Sequence, residues 1–416
     1  MLDGREGPAV QKAMDLLVRY GEALDAERLV DTHNVCGAMT FGGTRADLMQ
    51  RGGFHAVFSE LNLDSPEVVE IPPARVYTCQ LEHGLSLETA HITGGSPEAM
   101  QAQRQAEIFF GARGVHMLAT CTPYLAGNVP LLGEHCAWME SSAVVYCNAV
   151  LGARTNTEGT ESTGAASLTG KIPYWGYHIP ACRRATHLVE VEIEVDSVMD
   201  WGLLGYYVGE MVQEAVPAIK GLKSRPDPIK LKHLGAAAAS SGGVEMYHIP
   251  GVTPEAPSLE ATLGGNQPLA IWRYGRAERR IAYENLNSSA VSREVDFIML
   301  GCPHCTLEQV WRVAQLLERK RLHGNTQLWL FVARALKEVA DRSGYTRTIE
   351  AAGAHVLTDT CCAISGTVPQ GAKVVATDSA KQAHYLPAML GMQTWFGSTE
   401  DCIAAATTGR WSGGLE

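Results

Sequence analysis

The chain has 416 residues, of which 34 are Lys or Arg and 45 are Asp or Glu, so its formal net charge is −11. An acidic balance without a run of basic residues argues against nucleic acid or an anionic membrane surface as a partner. The composition, 46% apolar and 19% charged, is that of a globular protein and excludes extensive disorder.

Helical and strand patterns alternate along the chain, as they do in α/β proteins. Apolar residues at helical spacing predict helices over Pro8–Ala26, Pro97–Arg113, Trp201–Val216, Thr306–Leu322 and Ala333–Arg342. Short apolar runs predict strands over Val30–Thr32, Val115–Ala119, Val244–Ile249, Val295–Leu300, Gln327–Val332, His355–Leu357 and Lys373–Thr377. We therefore expect βαβ units and a mostly parallel sheet with helices on both faces. The proline-containing segment Leu222–Pro228 is the candidate linker.

The cysteines indicate a reducing compartment. There are eleven, spread from Cys36 to Cys402, which is not the dense, even-numbered pattern of a small secreted disulfide scaffold. The N-terminal residues lack the apolar segment of a signal peptide, and the uncharged stretches 115–133 and 382–399 are too polar to cross a membrane. We expect a cytoplasmic protein with reduced thiols.

Three cysteines occupy the same position relative to a predicted strand. Cys121, Cys302 and Cys361 each follow the carboxyl end of one, and ligands of parallel sheets bind beyond these ends. Three thiolates with one coordination position left open suit an iron–sulfur cluster that acts as a Lewis acid. The sequence therefore predicts that these three residues hold such a cluster and that its open iron binds oxygen atoms of a substrate.

Two other interpretations of the cysteines remain open. Cys302 and Cys305 form a C-x-x-C motif between a predicted strand and a helix, as in thioredoxin-like thiol–disulfide redox proteins. This interpretation does not account for the positions of Cys121 and Cys361. Structural zinc held by Cys302, Cys305, Cys361 and Cys362 is a further possibility, although adjacent cysteines are awkward ligands for a tetrahedral site.

The polar loop at 152–159 supplies candidate substrate-binding residues. Arg154, Asn156 and Glu158 either lie in a solvated loop or bind a carboxylate, hydroxyl or amine of a substrate. Thr122, beside Cys121, and His33, after a predicted strand, are further candidates. Five side chains are thus proposed to contact substrate.

Candidates for proton transfer lie near the other strand ends. Ser379 and Lys381 follow the strand at 373–377, where Ser379 either caps the next helix or faces the same site as Lys381. His304 lies within the C-x-x-C motif, although a single histidine is more often structural. These three residues are the catalytic candidates.

Five segments carry a family resemblance. They are HMLATCTPY at 116–124, SSAVVYCNAVLGARTNTEG at 141–159, GCPHC at 301–305, DTCC at 359–362 and TDSAKQAHYLP at 377–387. Together they resemble the large subunit of aconitase X, and the resemblance covers most of residues 1–416. It implies aconitase-like three-layer α/β/α domains and a cluster held by Cys121, Cys302 and Cys361. Cys305 and Cys362 fall at positions that the family pattern does not require.

The resemblance also implies an activity and a partner. Members of the family are hydro-lyases that dehydrate either cis-3-hydroxy-L-proline, which gives Δ1-pyrroline-2-carboxylate, or mevalonate 5-phosphate. Their small swivelling domain, which in aconitase-like enzymes carries a serine base, is either fused or a separate subunit. We expect it to be absent from this chain, so that the enzyme is a heterodimer.

The choice of substrate rests on few residues. A phosphate would favour several cations near the site, and only Arg154 and Lys381 can be named, so hydroxyproline is the preferred substrate. Where the family often has Thr-Thr-Leu-Asn, at a point that substrate approaches, this chain reads YTCQLEH at 77–83, a departure that would accompany a divergent specificity. Mevalonate 5-phosphate, the other substrate of the family, is the alternative.

Overall fold

The structure, a computed structural model, describes residues 1–39 and 45–415. The chain forms two compact units, Met1–Arg183 (unit 1) and Arg184–Glu416 (unit 2). The candidate linker Leu222–Pro228 lies inside unit 2, in a loop between a strand and a helix. Among the helices of the described ranges, none combines the length and the apolar character that a membrane crossing requires.

Unit 1 is built around a four-stranded parallel sheet with the strand order β4-β3-β2-β5, and a separate antiparallel pair joins β1 to β6. Its strands are β1 (Leu29–Asp31), β2 (Asn34–Gly37), β3 (Tyr77–Gln80), β4 (Val115–His116), β5 (Cys136–Trp138) and β6 (Lys171–Pro173). Its helices are α1 (Pro8–Ala23), α2 (Arg45–Gln50), α3 (Phe54–Leu63), α4 (Ala90–Thr93), α5 (Pro97–Gly111), α6 (Ser141–Tyr146) and α7 (Thr160–Thr169).

Unit 2 contains two parallel sheets, of three strands in the order β8-β7-β9 and of five strands in the order β12-β11-β10-β13-β14. Its strands are β7 (His187–Val191), β8 (Pro217–Lys220), β9 (Ala270–Tyr274), β10 (Phe297–Cys305), β11 (Gln327–Val332), β12 (His355–Leu357), β13 (Val374–Thr377) and β14 (Gln393–Phe396). Its helices are α8 (Val198–Val212), α9 (Pro228–Gly242), α10 (Leu259–Thr262), α11 (Arg276–Leu286), α12 (Leu307–Leu317), α13 (Arg334–Arg342), α14 (Tyr345–Ala351), α15 (Cys362–Ser365), α16 (Ala380–Leu390) and α17 (Thr399–Thr408).

The predicted α/β class with mostly parallel sheets is confirmed, as are most predicted elements. The strand predicted at Val244–Ile249 is wrong. The segment is largely buried, but its pairing to β8 consists of a single bridge between His248 and Ala218, so no ladder forms. The strand predicted to end at Leu300 continues to Cys305, because all nine residues of β10 are buried.

Helices α8 and α9 pack with their backbones in direct contact. A Cβ atom at Gly205 of α8 would lie 2.3 Å from the carbonyl oxygen of Leu234, and one at Gly242 of α9 would lie 1.8 Å from that of Gly209. Only glycine permits this approach. Helix α8 is buried on nearly every side. The close contact fixes the position of α9, which carries a residue of the candidate site.

This packing predicts a large effect of a single methyl group. Gly205→Ala should lower the free energy of unfolding by about 3 kcal/mol, because the Cβ meets rigid backbone. Gly111→Ala, at the end of α5 with open space around it, should leave stability unchanged or raise it by up to about 1 kcal/mol. Urea unfolding followed by circular dichroism measures both. Equal midpoints for the two variants would contradict the close approach of α8 and α9.

Candidate cofactor and substrate site

The carboxyl edge of the five-stranded sheet carries two of the predicted cysteine ligands. Cys302 lies near the end of β10, and Cys361 follows β12. Because β10, β11 and β12 are parallel, their carboxyl ends meet at one edge. Gly301 has a φ of 95°, and a Cβ there would lie 2.2 Å from the carbonyl oxygen of Phe331. This close approach brings the backbone that precedes Cys302 against β11.

His304 joins the end of β10 to the loop after β12. Its Nε2 lies 3.1 Å from the carbonyl oxygen of Thr360, next to Cys361, and its ring stacks on Phe331 with a centroid distance of 6.5 Å. His304 is completely buried. In the same loop, the Asp359 carboxylate accepts a hydrogen bond from Nε of Arg334, the first residue of α13, at 3.1 Å. These contacts connect His304 and Arg334 to the Cys361 loop.

Burial separates the three predicted ligands from the other buried cysteines. Cys302, Cys361 and, in unit 1, Cys121 are 7%, 6% and 6% exposed. Cys182 is exposed, and the remaining seven cysteines are only 0–2% exposed; these are Cys36, Cys79, Cys136, Cys147, Cys305, Cys362 and Cys402. The seven behave as small apolar residues. The three predicted ligands are buried too, but each keeps a small exposed surface.

The structure argues against the thiol–disulfide redox alternative. A reactive C-x-x-C pair lies on the first turn of a helix, where the helix N-terminus lowers a thiol pKa. Here the whole motif belongs to β10, and α12 begins two residues after Cys305, at Leu307. Cys305 packs in the apolar core beside the sheet, and burial raises the pKa of its thiol to about 12.

Ser379 and Lys381 follow β13 as predicted. Ser379 is buried and its Oγ accepts a hydrogen bond from the backbone N–H of Gln382 at 3.2 Å, so it caps α16. Lys381 is half-buried in the first turn of the same helix. Asp378, which directly precedes Ser379, accepts a hydrogen bond from the hydroxyl of Thr399 at 2.7 Å, and burial raises the pKa of the Asp378 carboxyl group. The Oγ of Ser379 therefore serves as the cap acceptor of α16.

In unit 1, Cys121 and Thr122 lie in a tight turn after β4. The backbone N–H of Ala119, whose φ is 47°, donates to the carbonyl oxygen of Gln80, the last residue of β3, at 3.0 Å. The hydroxyl oxygens of Thr120 and Thr122 are 3.1 Å apart, and both residues are fully buried. Thr122 thus helps to hold the Cys121 turn.

The segment that contains Arg154, Asn156 and Glu158 runs alongside β5. Arg154 forms a parallel β-bridge with His135, which lies just before the amino end of β5. The backbone N–H of Glu158 donates to the carbonyl oxygen of Trp138, at the carboxyl end of β5, at 2.9 Å. Of the three predicted substrate-binding residues in this segment, Glu158 therefore lies at the carboxyl edge, and Arg154 lies at the opposite one.

The structure gives Asn156 and His33 other surroundings. The Asn156 amide donates to the carbonyl oxygen of Trp175 at 3.3 Å and accepts from the N–H of Tyr177 at 2.8 Å, so it holds a turn. His33 is exposed and precedes the amino end of β2. Because β2 and β4 run in the same direction within one sheet, His33 is not brought to the edge where Cys121 lies.

Sequence reasoning missed Lys232. This buried lysine of α9 donates to the carbonyl oxygens of Pro303 and His304, within the C-x-x-C motif. The available signal was its spacing: Ile229, Lys232 and Ala236 lie at helical intervals on one otherwise apolar face. A charge on such a face requires partners.

Three family profiles match the chain. They are described as aconitase X first domain, over residues 1–181, aconitase X second domain, over 185–284, and aconitase X third domain, over 295–408. The chain belongs to the aconitase X family. The first profile corresponds to unit 1, and the other two divide unit 2. Membership of an aconitase-like family indicates a metal or iron–sulfur cofactor.

Curated relatives are dehydratases. The chain is 36% identical to the phosphomevalonate dehydratase large subunit of Methanocaldococcus jannaschii, over 97% of each protein. It is 34% identical to the cis-3-hydroxy-L-proline dehydratase of Pseudomonas aeruginosa, over 100% of this chain and 70% of that protein. The crystal structure of Thermococcus kodakaraensis aconitase X (holo-form) matches 97% of both chains with a TM-score of 0.80 at 31% identity. The chain is a hydro-lyase that acts on a small molecule.

A pair of histidines lies beside Arg154. The Nδ1 atoms of His135 and fully buried His178 are 2.9 Å apart. Burial, with the nearby charges of His135, Arg183 and Arg154, lowers the pKa of His178 to about 3, and burial also lowers the pKa of His135. Unfolded histidine takes up a proton near pH 6.5, so the unfolded chain binds more protons below that pH. The pair therefore contributes stability above about pH 6.5 that is lost as the pH falls toward 3.

Replacing His178 should reduce this acid sensitivity. We expect the free energy of unfolding of the wild-type chain to fall by about 1 kcal/mol per pH unit through His178 below pH 6.5. His178→Gln should remove that slope, and His33→Gln, at an exposed histidine of the same unit, should retain it. Denaturant titrations between pH 7 and pH 5 give the slopes. Parallel slopes for wild type and His178→Gln would contradict the assignment.

Proposed function

We propose that the chain holds an iron–sulfur cluster through Cys121, Cys302 and Cys361 and dehydrates a small hydroxylated carboxylate with it. The supporting observation is that these three cysteines alone among the ten buried ones exceed 2% exposure, while Cys302 lies near the carboxyl end of a parallel strand and Cys121 and Cys361 each follow one. Thiolates are the usual ligands of such clusters. The donor set therefore fits the group that the family implies.

The bound cluster would supply a Lewis acid at the hydroxyl and carboxylate oxygens of the substrate. The chain's own residues would position it: His304 holds the Thr360 carbonyl beside Cys361, and Thr122 braces the turn of Cys121. Lys381 is proposed to bind the substrate carboxylate. Ser379 remains a candidate for proton transfer, because the cap of α16 uses its Oγ only as an acceptor and leaves its O–H proton available.

We propose cis-3-hydroxy-L-proline as the substrate. Its ring ammonium suits an acidic site, and the residues that follow β3 and β5 include Glu82 and Glu140, with Glu158 at the same edge. The sequence has no Lys or Arg over 76–103 or 114–153, which flank these strands, whereas a phosphate requires cationic partners. Glu158 is proposed to bind the substrate ammonium. Loss of the hydroxyl and the α-proton would give an enamine that tautomerises to Δ1-pyrroline-2-carboxylate.

Mevalonate 5-phosphate is the second candidate. The phosphomevalonate dehydratase large subunits of Methanocaldococcus jannaschii and Methanothermobacter thermautotrophicus are 36% and 40% identical to this chain and match it over nearly their full length. Their designation as large subunits also supports a separate partner here. We propose that a small swivelling subunit completes the enzyme and supplies the base that removes the α-proton.

The ligand assignment predicts the metal content of single-site variants. Cys121→Ser, Cys302→Ser and Cys361→Ser should each lose most iron and acid-labile sulfide when purified without oxygen, because each removes one thiolate ligand. Cys305→Ala and Cys402→Ala, at core cysteines of unit 2, should keep the wild-type content. Iron and sulfide analysis with visible spectra measures both. If Cys305→Ala lost the metal while Cys121→Ser kept it, the ligand set would be refuted.

The substrate assignment predicts the effect of one carboxylate. With the small subunit co-expressed, dehydration of cis-3-hydroxy-L-proline should exceed that of mevalonate 5-phosphate by at least about 100-fold in kcat/KM. Glu158→Gln should lower kcat/KM for hydroxyproline by about 10-fold or more, through loss of a charged hydrogen bond of about 1.5–3 kcal/mol. Glu161→Gln, at an exposed position nearby, should have no effect. Turnover of the phosphate alone would reject hydroxyproline in favour of the second candidate.

A further inference from the structure

Lys232 places an ammonium group inside unit 2, next to the backbone of β10. It is 2% exposed, and its Nζ donates to the carbonyl oxygens of Pro303 at 3.2 Å and His304 at 2.9 Å, and to Oε1 of Gln309 at 2.7 Å. Removing an ammonium from water is unfavourable by several kcal/mol unless its donors are satisfied.

The carbonyl groups that Lys232 binds lie at the irregular part of β10. The pairing between β10 and β11 is regular as far as Leu300, then loses its register and resumes only at Cys305. The backbone of Pro303 and His304 lies inside this irregularity, where carbonyl groups lack regular ladder partners. The Lys232 ammonium provides these partners, directly after Cys302.

Gln309 extends the same network to the start of α12. Its Oε1, besides accepting from Lys232, accepts from the backbone N–H of Thr306 at 3.1 Å, and its Nε2 lies 3.1 Å from Nε2 of His233. Lys232 and His233 therefore hold both the irregular end of β10 and the helix that follows it. Because α9 is fixed against α8 by glycine contacts, this support is rigid.

We propose that Lys232 is the positioning residue for the Cys302 ligand, and that its charge offsets the negative charge of the thiolates around the cofactor. The inference rests on the proposed function. The hydrogen bonds and the charge of Lys232 act separately. The hydrogen bonds fix the backbone next to Cys302, whereas the positive charge favours any state of the site that carries added negative charge. A substitution can therefore keep hydrogen bonds while it removes the charge.

Three variants separate these effects. Lys232→Met removes donors and charge, Lys232→Gln keeps two N–H donors for the carbonyl groups of β10 and removes the charge, and Lys230→Met changes a lysine on the same helix that pairs with Asp196 at 3.4 Å. In the full chain stripped of iron, iodoacetamide labelling is followed for each cysteine by peptide mass spectrometry. Cys182 is exposed and normalises the reaction, and Cys402 lies in the core and reports unfolding.

We expect Lys232→Met to label Cys302 about 10-fold faster than wild type with Cys402 protected, and Lys232→Gln and Lys230→Met to label it as wild type does. In the iron-loaded heteromeric enzyme, both Lys232 variants should shift the reduction potential to more negative values, and Lys230→Met should not. If Lys232→Met unfolds, Lys232→Gln decides. Unchanged potentials, or labelling of Cys402 in both Lys232 variants, would overturn the proposal. If the wild-type chain purified without iron, that result would refute the proposed cluster itself rather than the role of Lys232, because the reduction potential is that of the cluster.

Discussion

The candidate site depends on the parallel pairing of β10 with its neighbours. Parallel pairing brings the carboxyl ends of β10 and β12 to one edge, so that Cys302 and Cys361 share it although 58 intervening residues separate them in the chain. It also buries β10 completely, which leaves every backbone polar group there in need of a partner. Where the pairing of β10 with β11 loses its register, the Lys232 ammonium donates hydrogen bonds that a neighbouring strand would otherwise donate.

Cysteine has two roles in this fold, and burial distinguishes them. Cys305 and Cys402 fill the apolar core beside the five-stranded sheet, where a thiol packs like a small aliphatic group. Cys302 is only three residues from Cys305, yet it keeps part of its surface. The irregular end of β10 allows this difference, because a regular strand within the same buried sheet would enclose both residues alike. The departure from ladder geometry thus coincides with the position of the proposed ligand.

Local signals in the sequence were sufficient where one residue determines the structure. Pro8 and Pro97 begin helices as predicted, since proline fits the first turn, and the apolar runs at 327–332 and 355–357 have the bounds of β11 and β12.

Local signals failed where a residue distant in the sequence determines the structure. The run at 244–249 is apolar because it is buried, not because it pairs, and α8 is apolar all round because other helices surround it. Arg154 and Glu158 are separated to opposite edges by their register along β5, which no local pattern encodes. The spacing in α9 marks Lys232 as a charge on an apolar face, but it cannot identify the acceptors, which are more than 70 residues away in the chain.

The distribution of charge in unit 1 follows from the same register. Arg154 and Arg183 lie with two histidines whose pKa values are lowered, so the cations of this region gather near the amino end of β5. Glu140 and Glu158 follow its carboxyl end, where Glu140 caps α6 by accepting from the N–H of Ala143 at 2.8 Å. A strand of three residues spans about 10 Å, so the two groups are held apart by a fixed element rather than by mobile side chains. An anionic phosphate at the carboxyl edge would meet carboxylates there, whereas a substrate ammonium would meet its complement. Selectivity for an amino acid over a phosphate can thus be built into the backbone register.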